Sequence, residues 1–505
     1  MQEKSKERIV YGDWQTNTTL AFSVCQLLKS QGIRPQVIIE PTCGKGSFVN
    51  AALHTFDTIT DIYGIDINND YISTTKGVTL PFVDKVNVHL FTHDIFTFDF
   101  REIKKDIHGK RILILGNPPW ITNSKLSIFD STNTPQKSNF KHHRGIEAIT
   151  GKGNFDIAEY ICHKMLNIFS DEETFIALLL KNSTIKNLIY QQYAHPYPFV
   201  AVSQYVIDAK REFSAAVSAS LFVGRMGIAN IHTKICSVSD FYTQKFLYKY
   251  GWINNKFVAN IDLYKETQEI DGISPFVWRS GIKHDCAKVM ELTKTNGVYV
   301  NGFGEEVNIE ESIIYPLVKS SDIGNEYISE TKHYIIVTQK TTTDDTQILQ
   351  KLYPKTYKYL QKYAFLLDNR KSIIYQRRSR FCIFGIGEYS FLPYKVVISS
   401  LYKHCRFSLI CPAAGEPIMI DDTCYAIGFR NLDEAMYTLQ ILNSSNVQSF
   451  IRSISFEDSK RIISKEVLMR IDINRFLKIY YPYTLDHHKY QEQPTQYAIQ
   501  TRLFD

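Results

Sequence analysis

The sequence predicts a doubly wound α/β domain followed by a mixed α/β domain. Over the first roughly 230 residues, short apolar runs that suit buried parallel strands alternate with segments of helical periodicity, which is typical of βαβ units. After about Met226, strand-like pieces rich in Tyr, Val and Ile mix with a few helices and many polar turns. Because 505 residues suffice for two large cores, we expect one domain over residues 1–240 and another over 241–505.

Seven segments define the predicted first domain. The predicted strands are Gln36–Glu40, Ile62–Ile67, Val86–Phe91, Arg111–Leu115 and Thr174–Leu180, and the predicted helices are Thr18–Ser30 and Ile157–Phe169. In the second domain, Asp433–Leu442 is predicted to be a helix because an acidic residue stabilises its amino end.

Composition argues against several classes of protein. The longest apolar run, Phe175–Leu180, is too short to span a bilayer. The charged start MQEKSKER is not followed by the apolar stretch of a secretory signal. Nine cysteines without a CxxC pair favour reduced thiols in a cytoplasm and disfavour a disulfide framework or a zinc site. A net charge of +6 is compatible with a polyanionic partner.

Glycines and acids stand where three successive predicted strands end. Gly44 and Gly46 in EPTCGKGSF allow a tight turn and close approach of the backbone to a ligand, and a helix follows directly. Asp66 ends the second strand at the distance where an acid commonly accepts hydrogen bonds from ribose hydroxyls, and Asp94 follows the third. The pattern predicts an adenosine-containing ligand. The absence of GKS, GKT and GxGxxG disfavours phosphate transfer and a dinucleotide.

The fourth predicted strand ends in Asn117-Pro118-Pro119-Trp120. The Asn117 side-chain oxygen and the Pro118 carbonyl can each accept one N–H bond of an exocyclic amino group. The prolines fix the turn and preorganise both acceptors. The face of Trp120 suits stacking of a planar base.

This turn resembles the amino-methyltransferase signature of S-adenosylmethionine-dependent enzymes, in which Asn or Asp precedes two prolines and an aromatic residue. The upstream segment YGDWQTNTTLA and the position of the turn ahead of a long second half are similar to the gamma group of DNA adenine-N6 methyltransferases. The resemblance implies a Rossmann-like methyltransferase sheet followed by a target-recognition domain. Asn17 departs from the proline usual in the family, and Thr42-Cys43-Gly44 only approximates its glycine loop.

The resemblance also implies the site residues one by one. Thr16 would lie near the methionine carboxylate and Phe155 would pack on the cofactor adenine, while Phe213 would stack on the extruded base opposite Trp120, with a core role for Phe213 as the alternative. The implied catalytic residues are Asn117, Pro118, Trp120 and Phe213; the implied cofactor contacts are Thr16, Glu40, Thr42, Gly44, Gly46, Asp66, Ile67, Asp94, Ile95, Asn117, Pro119 and Phe155.

Two basic segments are candidate DNA contacts, although each is also consistent with an ordinary solvated surface. KSNFKHHRG contributes Lys137, Lys141 and Arg144. NRKSIIYQRRSRF interleaves Arg370, Lys371, Arg377, Arg378 and Arg380 with aromatic residues. Of these, we take Arg377, Arg378 and Arg380 as the DNA-binding candidates of the second domain.

The sequence therefore predicts a site-specific DNA adenine-N6 methyltransferase that uses S-adenosyl-L-methionine on a flipped-out adenine of double-stranded DNA. We interpret it as the modification part of a restriction-modification system, with a separate cognate endonuclease or none, because no acids and lysine stand at nuclease spacing. The alternatives are methylation of another planar nitrogen (cytosine-N4 of DNA, an RNA base or a protein glutamine) and a catalytically silent DNA-binding module.

Overall fold

The computed structural model describes residues 15–121, 156–214, 217–227, 232–376, 378–402, 405–459 and 461–481. The chain divides into two units between Ile261 and Asp262, whereas the sequence analysis placed the domain boundary after residue 240. The later division has a structural reason, because two strands beyond residue 240, Phe246–Ile253 and Lys256–Val258, continue the sheet of the first unit.

The first unit is built on a single ten-stranded sheet. Its strands are β1 (Val37–Glu40), β2 (Asp61–Asp66), β3 (Asn87–Thr92), β4 (Ile112–Gly116), β5 (Thr174–Lys181), β6 (Phe199–Ile207), β7 (Ala219–Met226), β8 (Ile235–Asp240), β9 (Phe246–Ile253) and β10 (Lys256–Val258). Its helices are α1 (Thr18–Ser30), α2 (Ser47–Thr55), α3 (Asn69–Thr79), α4 (Arg101–Asp106), α5 (Ile157–Phe169), α6 (Asn182–Gln191) and α7 (Ala209–Phe213), and α8 (Ile261–Thr267) begins at the division.

The strand order of this sheet is β10-β9-β8-β6-β7-β5-β4-β1-β2-β3. Strands β1 to β5 pair in parallel, and β7 runs antiparallel between β5 and β6. All five predicted strands and both predicted helices are confirmed, each to within one residue at either end. The α/β fold class is therefore confirmed for this unit.

Burial explains why these runs form the centre of the sheet. Residues 37–39 of β1, 112–115 of β4 and 176–180 of β5 have no solvent-exposed surface, as expected for parallel strands that are covered on both faces. Side-chain caps start the flanking helices: Asn17 accepts from the Thr19 amide and Asp156 accepts from the Ala158 amide. Because β1 to β4 are parallel, their carboxyl ends share one edge of the sheet.

The second unit contains two five-stranded sheets, with orders β11-β20-β17-β18-β15 and β13-β12-β16-β14-β19. Its strands are β11 (Arg279–Ser280), β12 (Glu291–Thr295), β13 (Val298–Asn301), β14 (Ile314–Val318), β15 (Tyr327–Ile328), β16 (His333–Ile336), β17 (Tyr394–Ser399), β18 (Ser408–Ile410), β19 (Met419–Ile420) and β20 (Cys424–Phe429). Its further helices are α9 (Ala287–Met290), α10 (Leu349–Leu352), α11 (Pro354–Lys362), α12 (Ala364–Asp368), α13 (Leu432–Leu442), α14 (Ser445–Ile454), α15 (Lys465–Met469) and α16 (Ile473–Tyr480).

Two predictions for the second half can be checked directly. The predicted helix Asp433–Leu442 is α13, which Asn431 caps by accepting from the amides of Asp433 and Glu434. Arg370 is different from its neighbours in the basic segment, because it is buried and its guanidinium donates to the carbonyls of Leu367, Arg380 and Cys382. Arg370 therefore holds the fold of this segment together.

Three absences can be stated for the part of the chain that the structure describes. No helix there is long and apolar enough to cross a membrane. No group of three or more His, Cys, Asp and Glu side chains is arranged to hold a metal ion. All nine cysteines fall within the described ranges, and all are free thiols.

Glu291, at the start of β12, links two cations of the second unit. His284 Nε2 lies 3.1 Å from Glu291 Oε1, and Lys319 Nζ lies 2.6 Å from Glu291 Oε2. Burial of this carboxyl disfavours its charge, but the hydrogen bonds from His284 and Lys319 prevail and lower the pKa of Glu291 to about 2. The ionised carboxylate therefore stabilises the fold above its ordinary pKa of 4.5, and this contribution is lost as the pH falls from 4.5 towards about 2.

We expect Glu291→Gln to destabilise the protein at neutral pH by about 1–3 kcal/mol, since it leaves two part-buried donors without their anion. The difference from the wild type should shrink below pH 4.5. Calorimetric melting across this pH range measures it. Glu305→Gln is the control, because Glu305 pairs with Lys362 at the surface and should contribute little. Equal effects of the two substitutions at every pH would contradict this account.

Candidate cofactor and acceptor site

The glycine loop follows β1 and leads directly into α2. Gly44 and Gly46 have φ values of +52° and +78°, which favour glycine. A Cβ at Gly46 would lie 2.8 Å from the Thr75 side chain, and the Cys43 amide donates to the Ile65 carbonyl. The loop backbone is therefore held against β2 and α3, where only glycine fits at position 46.

Asp66, at the end of β2, fixes the same loop. Its Oδ2 accepts from the Gly44 amide at 2.9 Å, and its Oδ1 accepts from the Asn68 amide at 2.9 Å. A carboxylate has about four acceptor positions, so these two bonds are compatible with the ribose contact that the sequence predicts. The structure thus joins the predicted ribose acid to the predicted cofactor loop.

Glu40, at the end of β1, is buried beneath the end of β4. Its Oε2 accepts from the Val49 amide at 3.2 Å. Burial raises the pKa of Glu40 well above its usual range; the Val49 amide opposes this shift and the charge of Asp66 adds to it. A Cβ at Gly116 would lie 3.3 Å from Glu40 Cγ, and Gly116 has a φ of +153°. The small residue before Asn117 lets the two strand ends approach each other.

The Thr42 hydroxyl is the polar atom that tests whether the site fits a ligand. It is buried and has no hydrogen-bond partner among the described residues. Buried hydroxyls are normally satisfied, and an unsatisfied one costs about 1–3 kcal/mol. The amino and carboxylate groups of a methionine moiety would supply the missing partner, so Thr42 fits the cofactor contact that the resemblance implies.

The loop after β3 carries Asp94 and Ile95 and is held from below by a lysine of α5. Lys164 Nζ donates to the carbonyls of Ile95, Phe96 and Phe98 at 2.6–3.1 Å. Asp94 accepts from the Phe96 amide at 2.9 Å, Ile95 is buried, and Ile67 after β2 is half exposed. An exposed isoleucine at a strand end suits apolar contact with a ligand ring.

Asn117 and Thr16, a hundred residues apart in the chain, meet at the carboxyl edge. Asn117 Nδ2 donates to Thr16 Oγ1 at 3.2 Å, which leaves Oδ1 as the acceptor end of the amide. The neighbouring Gln15 approaches the glycine loop, where its Oε1 lies 3.4 Å from the Lys45 amide nitrogen and would lie 3.0 Å from a Cβ at Gly44. The sequence analysis did not single out Gln15 or Lys164, since only tertiary contacts give them a role.

The aromatic residues of the predicted base pocket contact each other. Pro118 and Trp120 are buried while Pro119 is half-buried, and Trp120 Nε1 donates to the Leu179 carbonyl of β5 at 3.1 Å. The Trp120 and Phe213 rings lie edge to face, with centroids 5.0 Å apart and planes at 70°. A base that stacks between them therefore requires the two rings to separate.

The remaining predicted residues divide into two groups. Phe155, Lys137, Lys141, Arg144 and Arg377 lie outside the described residues. Arg378 is exposed, and Arg380 forms a forked pair with Asp368, its Nε lying 2.8 Å and 3.0 Å from the two carboxylate oxygens. The roles of all these residues remain predictions.

The sheet, with its parallel centre and the loops at its carboxyl edge, has a Rossmann-like methyltransferase fold. No protein-family model matches the chain. Over 475 residues it is 37% identical to the type II methyltransferase M.NspV of Nostoc sp. (strain ATCC 29411 / PCC 7524), covering 94% of this chain and 98% of that relative. The chain belongs to the family of type II methyltransferases of restriction-modification systems, and its cofactor is S-adenosyl-L-methionine.

A solved structure supports the fold assignment over nearly the whole chain. The type IIL restriction-modification enzyme MmeI, determined in complex with DNA, superimposes with a TM-score of 0.53 at 14% sequence identity. The match covers 93% of this chain and 67% of that one. At this identity the likeness shows a shared fold.

Thr42→Val tests the assignment of the buried hydroxyl. We expect the melting temperature to stay the same or to rise, because the substitution removes an unsatisfied polar group. The affinity for S-adenosylmethionine should fall about tenfold, as for the loss of one hydrogen bond to a ligand with charged groups. Calorimetric titration measures this affinity. Thr42→Ser is the control that keeps the hydroxyl, and unchanged affinity of the valine variant would remove Thr42 from the site.

Proposed function

We propose that the protein is a site-specific DNA adenine-N6 methyltransferase that acts as the modification enzyme of a restriction-modification system. The observation that carries the proposal is the Asn117–Thr16 hydrogen bond at the carboxyl edge, beside the cofactor loop. The relative M.NspV is a type II methyltransferase, and MmeI, which shares the fold, has been determined bound to DNA. Both support DNA as the acceptor.

In this mechanism S-adenosyl-L-methionine supplies an activated methyl group, and residues of the chain orient the acceptor. Asn117 Oδ1 and the Pro118 carbonyl each accept one N–H bond of the adenine amino group, so that its nitrogen becomes less planar and its lone pair becomes available. Thr16 holds Nδ2 and thereby fixes which end of the amide faces the acceptor. The prolines keep both acceptors in place before the reaction, which favours the transition state.

The target adenine reaches this turn after rotation out of the duplex. Trp120 is anchored through Nε1 to β5, whereas Phe213 ends the five-residue helix α7 and is followed by Ser214 at a φ of +55°. A base can stack on Trp120 only when the Trp120 and Phe213 rings separate. We therefore assign this movement to Phe213, which leaves the edge of Trp120 and admits the base.

The second unit has the role of a target-recognition domain in this proposal. Its partner is double-stranded DNA, and the enzyme works in the cytoplasm. A cognate restriction endonuclease, where present, is a separate protein. Neither a metal ion nor a membrane enters the proposed reaction.

Asn117→Ala should keep its affinity for S-adenosylmethionine but lose about 10²–10³-fold in kcat, because it removes an acceptor that acts in the transition state. Asn117→Asp, which keeps the acceptor oxygens, is the matched control and should retain more activity. At saturating cofactor, the kcat of Thr16→Val should lie between those of Asn117→Ala and Asn117→Asp. Single-turnover methylation assays measure these rates, and wild-type turnover in Asn117→Ala would refute the mechanism.

Methylation-aware sequencing of DNA from a methylase-deficient host that expresses the chain tests the function as a whole. N6-methyladenine within one recurring short sequence is the expected result. Methylated cytosine would keep the mechanism but change the target base. Unmodified DNA, together with retained binding of S-adenosylmethionine by the purified protein, would refute DNA as the acceptor.

A further inference from the structure

Residues 346–380 of the second unit combine unusual charge with unusual apolar exposure. The segment holds nine Lys and Arg residues and one acid, a net charge of +8, so the rest of the chain carries −2. The segment includes helices α10 to α12, and we call its exposed side the basic helical surface. Its exposed cationic and large apolar side chains are Ile348, Lys351, Leu352, Lys355, Lys358, Lys362, Phe365, Leu366, Lys371, Ile373, Arg378 and Arg380.

The apolar part of this surface is too exposed to serve the core. Phe365 is 78% exposed and Ile373 is 75% exposed, and only Ile273 exceeds them among the large apolar side chains of the described residues. Ile348, Leu352 and Leu366 add to the exposed apolar area. Large apolar side chains left this exposed within one segment are candidates for contact with a partner.

The cations follow one face of the helix. Lys355, Lys358 and Lys362 of α11 stand three and four residues apart and share a face, while Thr356 and Leu360 are buried. Phe365 and Leu366 follow in the next helix, α12, three and four residues beyond Lys362.

Most of these charges are available to a partner. Lys362 pairs with Glu305 and Arg380 pairs with Asp368. Within the described part of the chain, no hydrogen bond or ion pair engages the side chains of Lys351, Lys355, Lys358, Lys371 and Arg378.

The surface is held firmly from beneath. Glu310 caps α11 by accepting from the amides of Lys355 and Thr356 at 2.9 Å, and the Thr356 hydroxyl donates to it at 2.6 Å. The buried Arg370 guanidinium stacks 3.7 Å from the centroid of the Tyr375 ring and donates to the carbonyls of Leu367 and Arg380 in the segment and of Cys382 just beyond it. These buried contacts therefore fix the backbone that carries the exposed side chains.

We propose that the basic helical surface binds the DNA duplex, an inference that rests on the proposed function. Its unpaired lysines neutralise phosphates of the DNA backbone. Phe365 and Ile373 insert into the DNA groove between these phosphates and contact sugars and base edges. Charge favours this occupant, because one segment carries +8 while the rest of the chain sums to only −2, and a concentrated positive charge matches a polyanion. Contacts from this surface contribute affinity and fix the position of the protein along the DNA. Other side chains read the identity of the bases.

The experiment measures binding of the full chain to a short mixed-sequence duplex by fluorescence anisotropy over a series of salt concentrations. The double variant Lys355→Gln/Lys358→Gln should lower the slope of log K against log salt by about 2. Phe365→Ser should weaken binding about tenfold with little change of slope. The matched controls are Lys332→Gln/Lys478→Gln and Ile273→Ser, which alter equally exposed residues outside the segment and should bind like the wild type.

Two results would overturn the inference while leaving the proposed function intact. In the first, the segment variants bind DNA like their controls. In the second, they lose binding only to phosphatidylserine vesicles, which would make the surface a membrane contact. Failure of the proposed function is seen separately, as wild-type protein that neither binds the duplex nor methylates DNA in the host.

Discussion

Parallel pairing of β1 with both β2 and β4 is the constraint on which the site depends. Val37 stands opposite Asp61 on one side and opposite Ile112 on the other. Parallel strands end at the same edge of a sheet. This register therefore brings the glycine loop, Asp66 and the Asn117 turn together, although they lie far apart in the sequence. The hydrogen bonds from Asp66 to the loop and from Asn117 to Thr16 then fix side chains that the sheet has already brought close.

Strands β1 to β5 of the first unit were predictable from the sequence because short apolar runs bounded by polar turns are typical of buried parallel strands. The cofactor loop and the proline turn were predictable for a related reason, as their residue types serve a specific chemistry at strand ends. The strands β8 to β10 were harder to assign, since exposed strands such as β9 carry mixed polar and aromatic residues. The structure therefore extends the first unit beyond the expected boundary at residue 240.

Contacts between distant residues could not be predicted. Lys164 stands in an ordinary amphipathic helix, and only the folded chain shows that its ammonium group gathers three carbonyls of the loop after β3. Arg370 and Arg378 belong to the same basic segment, but Arg370 is buried and Arg378 is exposed. Composition describes both as part of a basic segment, whereas burial divides them into a structural and a surface arginine.

The burial of the thiols has a practical consequence for chemical work on the protein. Seven of the nine cysteines are buried, and only Cys286 and Cys411 are partly exposed. Burial raises the pKa of both these thiols as well, so the nucleophilic thiolate is scarce throughout the folded chain. Maleimide reagents will therefore modify the native protein slowly, and a cysteine introduced at an exposed position will provide a selective attachment point for a fluorophore without prior removal of the natural ones.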